Sequence, residues 1–143
     1  MIAPCFDDVK AGDHLPELTV PLTATLIVAG AIASRDYEGV HHDADAARHS
    51  GLPNVFMNIL TTNGIVGRFV TDWAGPDAIV RRIAIRLGAP NMPGDTMRMT
   101  GTVTATRVAG DKGVVELDVR GSNGLGDHVN GTVELTLPRR GTR

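Results

Sequence analysis

The fold is decided by residues 56–73, FMNILTTNGIVGRFVTDW, the longest uninterrupted apolar pattern in the chain. Its apolar residues recur three and four positions apart, which is the period of an α-helix with one buried face. Gly64 and Gly67 are poor helix formers, and their spacing predicts that another element approaches the helix closely there. The tripeptide Ala74-Gly75-Pro76 ends the predicted helix. The apolar positions are Phe56, Ile59, Leu60, Val66, Phe69, Val70 and Trp73.

The second half of the chain changes to a period of two residues. In residues 96–107 the odd positions are mostly apolar and the even positions are polar, which predicts a half-buried strand. In residues 78–87 arginines break the alternation, so we expect a strand with an exposed end or a partner on its second face. The other alternating stretches are 115–120 and 132–137, a short first strand is predicted at 17–22, and turns are predicted at 109–113 and 121–126.

One face of such an antiparallel sheet is apolar and must be covered. Only the helix at 56–73 is long and apolar enough to cover it. We therefore predict an α+β fold in which an antiparallel β-sheet, its last four strands in a meander, wraps around one long central α-helix. A chain of 143 residues is expected to form a single domain spanning 1–143.

Composition excludes several classes of protein. A net charge of −2 offers no electrostatic footprint for nucleic acid or for an acidic membrane surface. The single cysteine, Cys5, allows no internal disulfide, which is typical of a reducing compartment. Neither a secretory leader pattern nor an apolar stretch approaching the ~20 residues of a membrane span is visible. We expect a cytoplasmic protein.

Titratable side chains are concentrated in residues 34–43, SRDYEGVHHD. This stretch follows a predicted helix at 23–33 and precedes a short helix that Asp43 can cap. A carboxylate and an imidazole five residues apart, Asp36 and His41, can together hold one water and activate it. The spacing by itself is a weak signal, because Asp36 could instead cap the loop and His41 could be a partly buried structural histidine.

The motifs around this pair resemble those of the MaoC-like (R)-hydratases. In that family the motif Asp-x-Asn-Pro-(aliphatic)-His is followed by a helix and Gly-Leu-Pro. Here DYEGVH at 36–41, the short helix and GLP at 51–53 match in order and spacing. GDHLP at 12–16 and PGDT at 93–96 are also typical of the family. The resemblance covers nearly the whole chain.

Three further stretches resemble one branch of this family, the small subunit of actinobacterial enoyl-CoA hydratases that act on steroid side chains. They are SRDYE at 34–38, FMNILTT at 56–62 and VTDWAGP at 70–76. The resemblance implies a hot-dog fold and hydration of a 2-enoyl-CoA thioester by a catalytic pair, Asp36 and His41. It also implies a heteromeric partner, a second MaoC-like chain without its own pair, joined sheet edge to sheet edge. Coenzyme A is then part of the substrate, and no metal or redox cofactor is expected.

This chain departs from the family motif at two places. Glu38 and Gly39 replace the asparagine and proline, and Asn58-Ile59 replaces the His-Gly that usually opens the central helix. In the family a backbone N–H at that point stabilises the thioester oxyanion. A backbone donor survives a change of side chain, so the N–H of Ile59 is the candidate here.

Other polar residues have a functional and a structural interpretation. Arg81, Arg82 and Arg86 could contact the phosphates of coenzyme A, or they could lie on a solvated or subunit-facing edge. Glu38 could be a second carboxylate in the site or an exposed loop charge. The set His41, His42, Asp43 and His49 lacks the spacing of a zinc site, so we predict no metal.

Two rival functions remain at this stage. The chain could be a non-catalytic structural subunit that completes the acyl-CoA tunnel of a partner hydratase. It could also be a hot-dog acyl-CoA thioesterase, which would need a carboxylate on or near the central helix. That helix offers only Asp72, at its far end.

Overall fold

The computed structural model describes residues 3–141; residues 1, 2, 142 and 143 of the predicted domain lie outside the described part. The helices are α1 (Ala24–Ala33), α2 (Ala44–His49) and α3 (Ile59–Ala74), and short 3₁₀ turns lie at Phe6–Asp8 and Gly39–His41. The strands are β1 (Leu18–Pro21), β2 (Ile79–Leu87), β3 (Thr96–Ala109), β4 (Lys112–Asn123) and β5 (Gly126–Pro138).

Five strands form one antiparallel sheet in the order β1-β3-β4-β5-β2. The alternation seen in the sequence is the alternation of burial: Met97 and Met99 are fully buried, whereas Arg98 between them is exposed. The strands run further into the predicted turns than expected. Gly110, with φ of 62°, and Asp111 suffice to connect β3 to β4, because glycine adopts a positive φ without steric cost.

The predicted four-strand meander is wrong in one respect. Only β3, β4 and β5 follow one another in the sheet, whereas β2 pairs with β5 on the far side, with Ile83 opposite Val133. Alternation in the sequence records which face of a strand is buried but not which strand lies beside it. A short connection, 75–78, starts β2 beside the end of α3, and the chain then crosses to β3 on the other half of the sheet.

Helix α3 lies against the apolar face of the sheet and supplies the centre of the core, as predicted. It begins at Ile59 rather than Phe56, because the Asn58 side chain caps it by accepting a hydrogen bond from the Thr61 N–H at 3.0 Å. Gly75, with φ of 80°, ends it. The buried residues of α3 are Thr62, Ile65, Val66, Phe69, Val70 and Ala74.

The expected close approach at Gly64 and Gly67 is wrong for this chain. A Cβ added at Gly64 would meet nothing within 4 Å, and one at Gly67 would meet only Ile83 Cδ1 at 3.7 Å. The close approach occurs at Gly30 of α1, where a Cβ would lie 2.3 Å from Thr61 Oγ1 on α3. The glycine that lets two helices touch is therefore on the shorter helix.

The two edges of the sheet differ in length. Strand β1 has four residues, whereas β2 has nine and is hydrogen-bonded only on its β5 side. Between Val80 and Arg82 the register shifts, so Arg81 is an extra bulged residue that bends the edge. No helix among residues 3–141 is both long and apolar enough to cross a bilayer.

Candidate active site

The turn at the end of α1 fixes the backbone position of Asp36. Helix α1 is followed by Ser34 and by Arg35 in the left-handed region, with φ of 58°, and the Asp36 N–H returns to the Ala31 carbonyl at 2.9 Å. The Arg35 N–H bonds to the Ile32 carbonyl at 3.1 Å, which completes a Schellman motif. Glycine is the usual residue at the left-handed position, so the arginine places backbone strain of about 1 kcal/mol directly before Asp36.

Asn58 holds the Asp36 carboxylate in place. Since Asn58 Oδ1 accepts from the Thr61 N–H, the Nδ2 amide must point the other way, and its two hydrogens go to Asp36 Oδ2 at 3.0 Å and Ser34 Oγ at 2.9 Å. Asn58 itself is only 1% exposed. The Asn58 amide beside Asp36 holds the pKa of that carboxyl below its usual range, against the raising effect of burial. The carboxylate is therefore ionised throughout the neutral range.

A 3₁₀ turn, Gly39–His41, carries the imidazole back toward Asp36. The His41 ring is 8% exposed and packs edge-on against the Phe56 ring, with centroids 4.6 Å apart. Its Nδ1 lies 2.7 Å from the Phe56 carbonyl oxygen. A carbonyl only accepts, so Nδ1 carries the hydrogen, and in the neutral ring Nε2 is left with a free lone pair.

The two predicted catalytic groups converge. His41 Nε2 lies 3.5 Å from Asp36 Oδ2, and the Asp36 side chain remains 26% exposed. A carboxylate oxygen and an unprotonated Nε2 are both acceptors, so they do not satisfy each other. A water at the open side can donate one hydrogen to each. With a neutral ring, the pair therefore presents two acceptors on its open side.

Ile59 is the first residue of α3 and follows Asn58, which holds the Asp36 carboxylate. The first N–H groups of a helix have no partner within the helix, and that of Thr61 is taken by the Asn58 cap. The N–H groups of Ile59 and Leu60 are therefore the available donors at the positive end of the helix dipole. The predicted donor, the N–H of Ile59, therefore lies in the first turn of α3.

The three predicted arginines lie away from the pair, on edge strand β2. Arg81, at the bulge, and Arg82 are exposed. Arg86 points to the outer face of the sheet, where it lines a groove of about 640 Å³ with Asp118, Arg120 and Thr132 among others. The sheet separates that groove from α3, so Arg86 does not share a surface with Asp36 and His41 in this chain.

The other titratable residues of the stretch have structural partners. Asp43 caps α2 through the Asp45 and Ala46 N–H groups, and these bonds lower its pKa. His42 Nε2 lies 3.0 Å from the Tyr37 carbonyl and His49 Nδ1 lies 2.7 Å from the Asp45 carbonyl. Within residues 3–141 no group of three His, Cys, Asp or Glu is arranged to hold a metal ion. The Glu38 side chain is exposed.

Sequence reasoning did not identify two residues that hold the Asp36 carboxylate in place. Asn58 was noted only as a departure from a motif, although an asparagine just before an apolar helix is a recognised cap signal. Ser34, whose Oγ accepts from Asn58 and donates to the Gly30 carbonyl at 2.7 Å, gives no sequence signal of its own. Both position Asp36.

A long helix enclosed by an antiparallel sheet is the hot-dog fold, and its candidate site here is the pair Asp36 and His41. A family model described as "MaoC like domain" matches residues 10–123. The chain belongs to this family of hydratases, as the motifs predict.

Individual relatives agree with this assignment. The beta subunit of the 3-oxo-4,17-pregnadiene-20-carboxyl-CoA hydratase of Mycobacterium tuberculosis is 47% identical over 126 residues, covering 88% of this chain and 95% of that protein. A crystal structure of the ChsH1-ChsH2 complex from Mycobacterium tuberculosis matches with a TM-score of 0.84 and 46% identity, covering 90% of this chain and 98% of that one. The unliganded R-hydratase PhaJ1 of Pseudomonas aeruginosa has a TM-score of 0.84 at 20% identity, covering 95% of this chain and 86% of that one, which supports the fold alone.

Proposed function

We propose that the chain is a catalytic subunit of an enoyl-CoA hydratase, in which Asp36 and His41 add water across the 2,3 double bond of an acyl-CoA thioester. The observation that carries the proposal is the 3.5 Å approach of His41 Nε2 to Asp36 Oδ2, at a carboxylate whose side chain is still 26% exposed. A structural subunit has no need of a water position held by two acceptors beside unpaired helix N–H groups.

The chemistry follows from these groups. Asp36 takes one proton of the water as its oxygen attacks the β-carbon, while His41 Nε2 accepts the second hydrogen and orients the water. The lowered pKa of Asp36 makes it a weak base, so attack requires an activated alkene. The N–H of Ile59 supplies that activation by stabilising the enolate oxygen of the thioester. The captured proton is then returned to the α-carbon, which completes the addition of H and OH.

We infer that the acyl group is a steroid side chain and that the partner is a second MaoC-like chain. Support for both comes from the M. tuberculosis relative, whose name specifies a pregnadiene carboxyl-CoA, and from the related two-chain complex. The open nine-residue edge of β2 offers a place for a partner sheet. Large apolar side chains on α1 and at the start of α3 are exposed, Ile32 at 48%, Ile59 at 50% and Leu60 at 49%, and they suit a bulky apolar group or a partner.

Coenzyme A contact by Arg81, Arg82 and Arg86 remains part of the proposal. In an edge-to-edge pair, β2 would lie at the junction of the two chains, where Arg81, at the bulge, is better placed to reach a shared ligand than Arg86 on the outer face. The three cations have the charge that the phosphates require. Replacing each by alanine is expected to raise KM for an enoyl-CoA more than it lowers kcat.

The test is an assay of the chain with its partner on a steroid enoyl-CoA and a linear enoyl-CoA. Asp36→Asn and His41→Ala are each expected to lower kcat by about a hundredfold or more, the usual contribution of a positioned acid or base. Matched controls are Asp45→Asn and His49→Ala on α2, which change the same residue types at exposed positions.

The outcomes separate the candidates. Hydroxyacyl-CoA as product, lost in both site variants, supports the proposal. Unchanged turnover in both variants would mean that this chain only completes a partner's site. Release of free coenzyme A would indicate a thioesterase, for which the structure offers Asp72, exposed and 3.3 Å from Arg68 Nε at the far end of α3.

A further inference from the structure

The geometry points to His128 and Thr62 as positioning residues for the proposed reaction: they fix the start of α3 so that the Asn58 amide stays on Asp36. The expected effect on turnover rests on the proposed function, whereas the expected effect on the position of the Asn58 amide does not. His128 lies on β5 and is 2% exposed, a burial that sequence reasoning did not predict.

Both nitrogens of the His128 ring have partners. Nδ1 lies 2.7 Å from the Ala89 carbonyl, which only accepts, so Nδ1 carries the hydrogen. Nε2 lies 2.8 Å from Thr62 Oγ1 and in the neutral ring must accept, so the Thr62 hydroxyl donates to it. Burial lowers the pKa of His128 and keeps the ring in this neutral state. In this state both ring nitrogens of the buried histidine are hydrogen-bonded, which stabilises the arrangement.

On one side of the ring the contact fixes the first turn of α3. The Thr62 N–H bonds to the Asn58 carbonyl at 3.2 Å, which is the first hydrogen bond of the helix ladder. Thr62 is 0% exposed, and its hydroxyl oxygen also lies 3.3 Å from the Asn58 carbonyl oxygen, a longer contact than the 2.8 Å to His128 Nε2 that takes its one hydrogen. Holding the Thr62 side chain therefore holds the backbone to which the Asn58 cap is attached.

On the other side the contact fixes the residue before Asn58. Ala89 belongs to the segment between β2 and β3, which is also held by the bond from the Gly88 N–H to the His128 carbonyl at 2.8 Å. Two residues further on, the Asn91 carbonyl accepts from the Met57 N–H at 2.9 Å. Asn58 is thus held on one side through Thr62 and on the other through Met57. Both series of contacts start at the His128 ring.

The experiment is an NMR titration of the Asp36 carboxyl in the full chain, with steady-state kinetics of the chain and its partner in parallel. The Asn58 amide is the main cause of the lowered pKa of Asp36, so this titration reports the position of the amide. His41 and His42 also lower the pKa of Asp36, and both are retained in every variant.

Thr62→Val removes the hydroxyl at nearly constant volume and is expected to raise the pKa of Asp36 toward its ordinary value. It should also lower kcat by up to about a hundredfold with little change in KM, as expected when a catalytic group is misplaced. Thr62→Ser restores the hydroxyl and should restore both values. His128→Asn, which can keep the Ala89 bond but not the Thr62 bond, should act in the same direction as Thr62→Val and decides the question if that variant does not fold.

The matched control is Thr136→Val on β5. Thr136 is 6% exposed, and its Oγ1 has no hydrogen-bond partner among the described residues, so the control removes a buried hydroxyl without breaking a bond. It should leave the Asp36 titration unchanged. Folded Thr62→Val and His128→Asn chains with the wild-type Asp36 titration would overturn the inference. If the variants change the Asp36 titration as expected but the wild-type chain with its partner hydrates no enoyl-CoA, the proposed function is wrong. The inference that Thr62 and His128 position Asn58 would still hold.

Discussion

At the scale of single residues, two glycines predict opposite effects of the same substitution. Alanine is favoured over glycine inside a helix by about 1 kcal/mol. At Gly64 the added Cβ meets nothing within 4 Å, so Gly64→Ala should stabilise the chain by about that amount. At Gly30 the Cβ would lie 2.3 Å from Thr61 Oγ1, and such overpacking costs about 1–3 kcal/mol.

Urea unfolding of the two variants measures this difference directly. Gly30→Ala should lower the free energy of unfolding, and the Thr61→Ala change in the same chain should recover part of the loss by removing the clash. Equal shifts of the same sign at Gly30 and Gly64 would mean that the α1–α3 contact is looser than described.

Residue identity allowed part of the candidate site to be predicted. Asp36, His41 and Ile59 were proposed because the order and spacing of their motif carry information, and the structure brings Asp36 and His41 within 3.5 Å of each other. The geometry that aims Asp36 could not be read from the chain, because the left-handed position after α1 is occupied by Arg35 rather than glycine. At the end of α2 the same Schellman turn uses Gly51, with φ of 86°, and there the sequence signal was clear.

At the scale of elements, the buried histidine on β5 predicts how stability depends on pH. Burial lowers the pKa of His128 in the folded chain, whereas in the unfolded chain it returns to about 6.5. Below that pH the His128 side chain binds a proton in the unfolded state but not in the folded state. The contribution of His128 to the free energy of unfolding is therefore present above pH 6.5 and is lost as the pH falls toward the pKa of the folded state.

The measurement is urea unfolding at pH 7.5 and pH 5.5 for the wild type and His128→Asn. The wild type should lose more stability between the two pH values than the variant does. The carboxylates with lowered pKa, such as Asp36 and Asp43, titrate below this range and do not contribute to the difference. Parallel pH dependence in the two proteins would show that His128 is not held neutral by the fold.

Elements were predictable where one period dominates. The helix at 56–73 and the strand at 96–107 were recovered because a single buried face imposes a period of 3.6 or 2 residues. The place of β2 in the sheet was not predictable, since its pairing with β5 depends on contacts between distant residues and leaves no periodic trace. The burial of His128 was missed for the same reason: its partners, Thr62 and Ala89, are 66 and 39 residues away.

At the scale of the whole molecule, the open edge predicts a pattern of hydrogen exchange. In the chain alone, the N–H groups of β2 that point away from β5 have no strand beside them and should exchange rapidly. Binding of the partner should protect them if the two sheets join at this edge. Strand β4, paired on both sides, should be protected in both states. Protection confined to α1 or to β1 on complex formation would place the partner elsewhere.

The difference between the two edges has a further consequence. Edge strand β1 has four residues and ends in Pro21, which has no amide hydrogen, so it is poorly suited to pair with a further strand. Edge strand β2 has nine residues and is well suited to such pairing. Addition at a single side stops after one step, so the product is a closed pair and not a fibre. We expect a chain synthesised without its partner to pair with a second copy of itself at this edge, because β2 then has no other strand to pair with.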